Sequence, residues 1–212
     1  MTLLGDLAEA LIGGDHRRVE ALTLEAIDAS LPPRAILDDG LLAGMKVVGE
    51  RFRVRDIFLP EVLMAARAMH AGMDPLAPLL AAEGVASVGK VVLGTVRGDL
   101  HDIGKNLVGI MLRGAGFEVV DLGFDVAPEA LVRAAVEHGA PVIGMSALLT
   151  TTMPAMREVV DRLRDEKLDG TIRTVVGGAP LSAEYARSLG ADAYAPDAYS
   201  AVDVVKRLAG VP

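Results

Sequence analysis

The sequence predicts an α + α/β protein: an N-terminal four-helix bundle followed by a five-stranded parallel sheet with helices on both faces. Three observations predict it. The first 80 or so residues space their apolar side chains three and four apart and contain no strand-like run. From about Val88 onward, short apolar runs alternate with helical segments, the pattern of a parallel sheet. A polar stretch bracketed by glycines, Gly98–Asn106, falls directly after the first of those runs.

In the first helix Leu4, Leu7 and Leu11 share a face, and Gly13-Gly14 closes it. Asp15 is placed to cap a second helix with Val19, Leu22, Ala26 and Ala29 on one side, and Pro32-Pro33 breaks that helix. A third carries Leu37, Leu41, Met45, Val48 and Phe52, an amphipathic stripe. A fourth starts near Leu59-Pro60 and runs through Leu63, Ala66, Met69 and Met73. Helices joined by such short loops form an antiparallel bundle. Periodicity fades over Leu80–Ser87, the expected linker, so the domains are drawn as 1–86 and 87–212.

Strands are expected at Lys90–Val96, Glu118–Leu122, Pro141–Ser146, Thr171–Val176 and Ala193–Ala195. The helices between and after them are expected at Asp102–Ala115, Pro128–His138, Met153–Lys167, Ser182–Leu189 and Ser200–Leu208. Three strand ends then carry unusual loops on one edge of the sheet. These are Arg97–Ile103, the hydroxyl-rich Ala147–Thr152, and Gly177–Leu181.

Bulk properties narrow the function. Of 212 residues 51% are hydrophobic and only 3% aromatic, so the cores are aliphatic. A net charge of −8 argues against a nucleic-acid backbone as partner. The absence of cysteine excludes disulfides, thiolate–zinc sites, iron–sulfur clusters and a cysteine nucleophile, and fits a cytoplasmic protein. Residues 1–10 hold Asp6 and Glu9 but no basic stretch, so no signal peptide is expected. The uncharged run Gly139–Met156 contains Gly144, three threonines and Pro154, and reads as strand, loop and helix start, not as a membrane span.

The Gly98–Asn106 loop carries the chemistry. It places His101 at the carboxyl end of a strand, where open α/β sheets bind ligands. Asp99, two residues earlier, is close enough to accept the ring N–H that a metal-bound imidazole leaves free, which fixes the tautomer. Gly98 and Gly104 let a bulky group approach the backbone. Ser146 and Thr150–Thr152 offer hydroxyls, and Gly177-Gly178 offers bare backbone. Each of these also has a plainer reading as a turn residue, and His16, His70 and His138 read as surface or capping histidines. A phosphate-binding P-loop fails on spacing, with five residues between Gly98 and Gly104 and Asn106 where Ser or Thr belongs. No Gly-x-Gly-x-x-Gly is present, and Met145-Ser146 stands where a receiver domain would need aspartate.

With these loops in hand, the chain resembles the cobalamin-binding modules of corrinoid methyl-carrier proteins, a module shared with cobalamin-dependent methionine synthase. The signature Asp-x-His-x-x-Gly is met by Asp99, His101 and Gly104, and its longer form through Asn106. Ser-x-Leu is met by Ser146-Ala147-Leu148, and Gly-Gly by Gly177-Gly178. The segment Phe58-Leu59-Pro60-Glu61 also looks like the family's helical cap, so the resemblance covers nearly the whole chain. It implies a Rossmann-like (flavodoxin-like) sheet domain holding cobalamin base-off and His-on. His101 would be the lower axial cobalt ligand, backed by Asp99 and then Thr152, where methionine synthase has serine. The first loop (Gly98, Asp99, Asp102, Ile103, Gly104, Asn106) would contact the cofactor, while Ser146, Leu148, Thr150, Gly177 and Gly178 would line a slot for its dimethylbenzimidazole tail. The bundle, with Phe58, would cover the upper face.

The same resemblance implies a methyl shuttle through Co(I) and methyl-Co(III), from cob(I)alamin to methylcobalamin and back, with tetrahydrofolate or a thiol as acceptor. Partners would be a substrate-specific methyltransferase subunit, a methylcorrinoid:acceptor methyltransferase and a reductive activator, with neither nucleic acid nor membrane. The chain would work as a cofactor-carrying subunit, not as a catalyst alone. An adenosylcobalamin-binding sensor or isomerase subunit is the alternative, separable by cofactor preference.

Overall fold

A computed structural model describes residues 2–82 and 87–211. It divides into two compact units, one of helices before residue 83 and one from Ser87 onward, with the Gly114–Gly116 turn grouped with the first. Of the expected linker, residues 83–86 lie outside the described residues. Leu80 is instead a buried side chain in the last turns of a helix.

The helical unit contains α1 (Leu3–Ile12), α2 (His16–Asp28), α3 (Pro33–Ala35), a π-helical stretch (Ile36–Leu42), α4 (Ala43–Arg53) and α5 (Leu59–Ala82). Asp15 caps α2 as expected, its carboxylate accepting the Arg18 N–H at 3.1 Å. Leu7, Leu11, Val19, Ile36, Leu41 and Leu76 are fully buried together with the stripe residues Met45 and Val48. Two details differ from the sequence reading. The expected third helix is interrupted by the wide π turn at Gly40, where a Cβ would stand 2.7 Å from Leu7 Cδ2. In α5 the expected Ala66 and Met69 are buried, but Leu63 is exposed, because the buried face at that turn passes through Val62 and Ala65.

The sheet unit alternates β1 (Gly89–Thr95), α6 (Ile103–Gly114), β2 (Phe117–Asp121), α7 (Pro128–His138), β3 (Val142–Ser146), α8 (Pro154–Asp165), β4 (Arg173–Gly177), α9 (Ala183–Leu189), β5 (Ala193–Ala195) and α10 (Ala198–Ala209). The strands are all parallel, in the order β2-β1-β3-β4-β5. Their side chains alternate between faces: Val92, Ile143 and Val176 join a core with Leu131, Met156, Val159 and Leu163 of α7 and α8. Strand β4 starts later than expected because Thr171 and Ile172 complete the turn after α8, their N–H groups donating to the Leu168 carbonyl. Helix α10 starts earlier, capped by Asp197, which accepts the Ser200 N–H at 2.7 Å.

The order 2-1-3-4-5 puts β1 and β3 side by side while their following connections lead to opposite sides of the sheet. Such a switch point opens a crevice at the strands' carboxyl ends. Register sharpens the alignment: Thr95 pairs with Ser146, Ser146 with Gly177, and Gly177 with Ala195, so three loops leave from one row.

Candidate functional site

Asp99 is the centre of the site. It is wholly buried, and its two oxygens divide the work. Oδ1 accepts the His101 backbone N–H at 3.1 Å and lies 2.7 Å from His101 Nδ1. Oδ2 accepts the N–H groups of Leu148 at 2.8 Å and Leu149 at 3.1 Å and the Thr152 hydroxyl at 2.7 Å. Burial pushes this carboxyl up, but the bonds from Thr152, Leu148 and His101 outweigh it and hold it well below the usual carboxylate range. The carboxylate therefore joins the β1 loop to the β3 loop across the switch point.

An ionised Asp99 keeps the imidazole proton on Nδ1 and leaves the lone pair on Nε2. That nitrogen has no hydrogen-bond partner among the described residues, and half of the His101 side chain is exposed. A second polar chain braces the start of α6. Buried Lys105 donates to both oxygens of Asp121 at 2.6 and 2.5 Å and to Asn106 Oδ1 at 2.6 Å. Asn106 in turn donates to Asp102 Oδ2 at 3.0 Å, next to His101.

Other expected site residues stand differently. A Cβ on Gly98 would lie 3.4 Å from Thr152 Cγ2, whereas one on Gly104 would meet nothing within 4 Å. Gly178 has φ +137°, and a Cβ there would collide with the Ala147 carbonyl, so it is glycine because the β3 and β4 loops touch. Gly177 also packs closely, with a Cβ 3.1 Å from the Ala195 carbonyl. The hydroxyls of Ser146 and Thr150 make no hydrogen bond among the described residues, and Thr150 is exposed. Phe58 is an exposed ring of the helical unit, its N–H donating to Glu61 Oε2 at 3.1 Å.

Sequence reasoning missed several neighbours. Thr95, at the end of β1, bonds to this loop, and Asp121 and Asp125 bond to the start of α6 and to the loop, brought there only by the pairing of β1 with β2. Leu149, Leu100 and Phe124 were missed as well; with Leu148 and with Ile103 at the start of α6 they are large apolar side chains left exposed at this same sheet edge.

That donor set suits a particular kind of group. Among the described residues no three His, Asp or Glu side chains gather as a metal site. One imidazole nitrogen with exposed apolar side chains around it fits a metal whose other positions come from a large macrocycle.

Comparison with known proteins bears on the same point. Residues 89–203 match the B12 binding domain family, and residues 3–76 match a second B12 binding domain model. The chain belongs to the B12-binding corrinoid proteins. It is 42% identical over 213 residues to a corrinoid protein of Desulfitobacterium hafniense, covering 99% of both chains. It is 45% identical over 208 residues to dimethylamine corrinoid protein 1 of Methanosarcina acetivorans, covering 97% of each. Among solved structures, it matches the methanol:cobalamin methyltransferase complex of Methanosarcina barkeri with TM-score 0.88 and 32% identity, over 98% of this chain and 80% of that one. A cobalamin-binding protein from Desulfitobacterium hafniense matches with TM-score 0.80 and 31% identity, over 97% and 98%. The cofactor of this corrinoid protein is cobalamin. No helix among the described residues is long and apolar enough to cross a membrane.

Proposed function

We propose that this corrinoid protein carries methyl groups between two partner enzymes, holding cobalamin base-off and His-on with His101 Nε2 as the lower axial ligand. The observation that carries the reading is the pair of His101 Nδ1 and Asp99 at 2.7 Å, with Asp99 itself saturated by donors from the β3 loop. A carboxylate so anchored fixes the ring, keeps the Nε2 lone pair available and raises its basicity. Thr152 extends the relay, and its hydroxyl has a second acceptor in the Leu149 carbonyl at 2.9 Å. When bound, the corrin supplies a cobalt centre that takes up a methyl group as Co(I) and gives it up again. The residues named in the first loop, together with Ser146, Leu148, Thr150, Gly177 and Gly178, are proposed to contact the cofactor and its tail, and Phe58 to shield it.

The methanol:cobalamin methyltransferase complex supports a methyltransferase partner, whose proposed role is to activate the donor. The dimethylamine corrinoid relatives support a donor of the methylamine or methanol kind. A methylcorrinoid:acceptor methyltransferase, with tetrahydrofolate or a thiol as acceptor, and a reductive activator complete the proposed cycle, in the cytoplasm and away from nucleic acid and membrane.

The test is the EPR spectrum of the Co(II) form, reconstituted with nitrogen-15 in histidine only. A His-on site gives a doublet splitting from the axial nitrogen, abolished by His101→Ala. A triplet from the cofactor's own base would refute the assignment of His101.

A further inference from the structure

We propose that Asp125, on the loop after β2, is a positioning residue that holds the His101 loop in its ligating conformation. The inference rests on His101 being the axial ligand.

Asp125 grips the backbone of that loop at two points and in opposite senses. Its Oδ1 accepts the Gly98 N–H at 2.7 Å, and its own N–H donates to the Asp99 carbonyl at 3.0 Å. The grip is built as an extension of the sheet. Val96 and Val126 form a parallel bridge, Thr95 N–H donates to the Gly123 carbonyl at 3.0 Å, and Val126 N–H donates to the Thr95 carbonyl at 3.0 Å. The exit of β2 is therefore zipped to the exit of β1 up to the residue that precedes the Asp-x-His pair.

Asp125 adopts a left-handed backbone, φ +53°, which few residues other than glycine, asparagine and aspartate accept readily. Gly98 is itself at φ +82°. The two bends meet where one N–H and one carbonyl of the histidine loop would otherwise lack these partners. Thr95, fully buried, adds a third hold by donating its hydroxyl to the His101 carbonyl at 3.1 Å. Asp99 orients the ring; Asp125 and Thr95 fix the backbone from which the ring projects. Neither lies within Asp-x-His-x-x-Gly. An ionised acceptor gives a shorter and stronger bond than a neutral one, which suits a carboxylate here.

Three variants of the full chain separate this role from simple stabilisation. Asp125→Gly keeps the left-handed backbone and the N–H to Asp99 but deletes the carboxylate. Asp125→Asn tolerates the same backbone and keeps a neutral acceptor for Gly98. Asp125→Ala loses the acceptor and strains the turn. Each is reconstituted with cobalamin in the Co(II) state with nitrogen-15 histidine. The His-on fraction by EPR, the Co(II)/Co(I) midpoint potential and the melting temperature are read together.

In Asp125→Gly the ratio of His-on to His-off should fall about tenfold, the size expected for one lost hydrogen bond to a charged group. The midpoint should shift positive as axial ligation weakens, because Co(I) prefers to lose that ligand. Asp125→Asn should recover most of both, and Asp125→Ala should be at least as impaired as Asp125→Gly. The proposal is overturned if Asp125→Gly keeps the wild-type doublet and potential and only melts earlier, or if Asp125→Asn is no better than Asp125→Gly. If the wild type itself shows the triplet of the cofactor's base, the assignment of His101 fails instead, and the two failures cannot be confused.

Discussion

Gly104 and Gly178 both belong to family motifs on the same sheet edge, yet they are glycine for different reasons. A side chain at Gly104 would enter open space, whereas one at Gly178 would strike the backbone of Ala147 from a φ of +137°. The first leaves room for something outside the chain. The second lets two loops of the chain lie against each other, as Ala147 N–H donating to the Gly177 carbonyl at 3.2 Å also shows. A motif glycine thus marks a close approach without saying what approaches.

Gly178→Ala should have the largest effect. Backbone collision and a forbidden φ should together cost about 3 kcal/mol or more in urea unfolding of the cofactor-free chain. A cost under about 0.5 kcal/mol would place the glycine's role with the ligand instead.

Asp99→Ala comes next. It leaves the N–H groups of Leu148 and Leu149 and the Thr152 hydroxyl without their acceptor, and about 2–3 kcal/mol of stability should go with it. This loss has a pH signature. Asp99 is held below its ordinary value of 3.8, so the unfolded chain binds its proton more tightly than the folded one. Its contribution is complete above about pH 4 and fades as the pH falls toward the lower folded value. The stability gap between wild type and Asp99→Ala should therefore narrow in acid. A gap that widens there would contradict the ionised carboxylate.

Lys105→Met probes the brace on the opposite side of His101. It removes a buried cation but leaves Asp121, which keeps some access to water, so the expected loss is smaller, about 1–2 kcal/mol. Cobalamin affinity should fall further than this if the start of α6 loosens, a difference that titration of the reconstituted chain measures.

Gly104→Ala should have the smallest effect on the empty chain, and of the opposite sign. Replacing a helical glycine gains up to about 0.5 kcal/mol in this first turn. If Gly104 contacts the cofactor as proposed, cobalamin affinity should nevertheless drop, because the new methyl group would enter the open space beside it. A variant that is both more stable and equally tight would show that Gly104 faces nothing.

Much of this protein was decided by local pattern. The alternation of apolar runs with helical segments determines a parallel sheet with helices on both faces, because each strand is buried on two sides and must be covered twice. The pair of Asp99 and His101 is legible for a similar reason, since residues two apart on a tight loop meet whatever surrounds them. Tertiary structure alone decided the rest. The strand order 2-1-3-4-5 brings Thr152 to Asp99 across 53 positions, Asp125 to Gly98 across 27, and Asp121 to Lys105 across 16. Packing within the helical unit left Leu63 exposed and made a π turn at Gly40, and contact between the β3 and β4 loops gave Gly178 to the backbone of Ala147. A hydrogen bond or a steric contact depends on distance in space. Sequence spacing reports that distance only within a turn or a helix, and beyond it the packing of strands sets which residues meet.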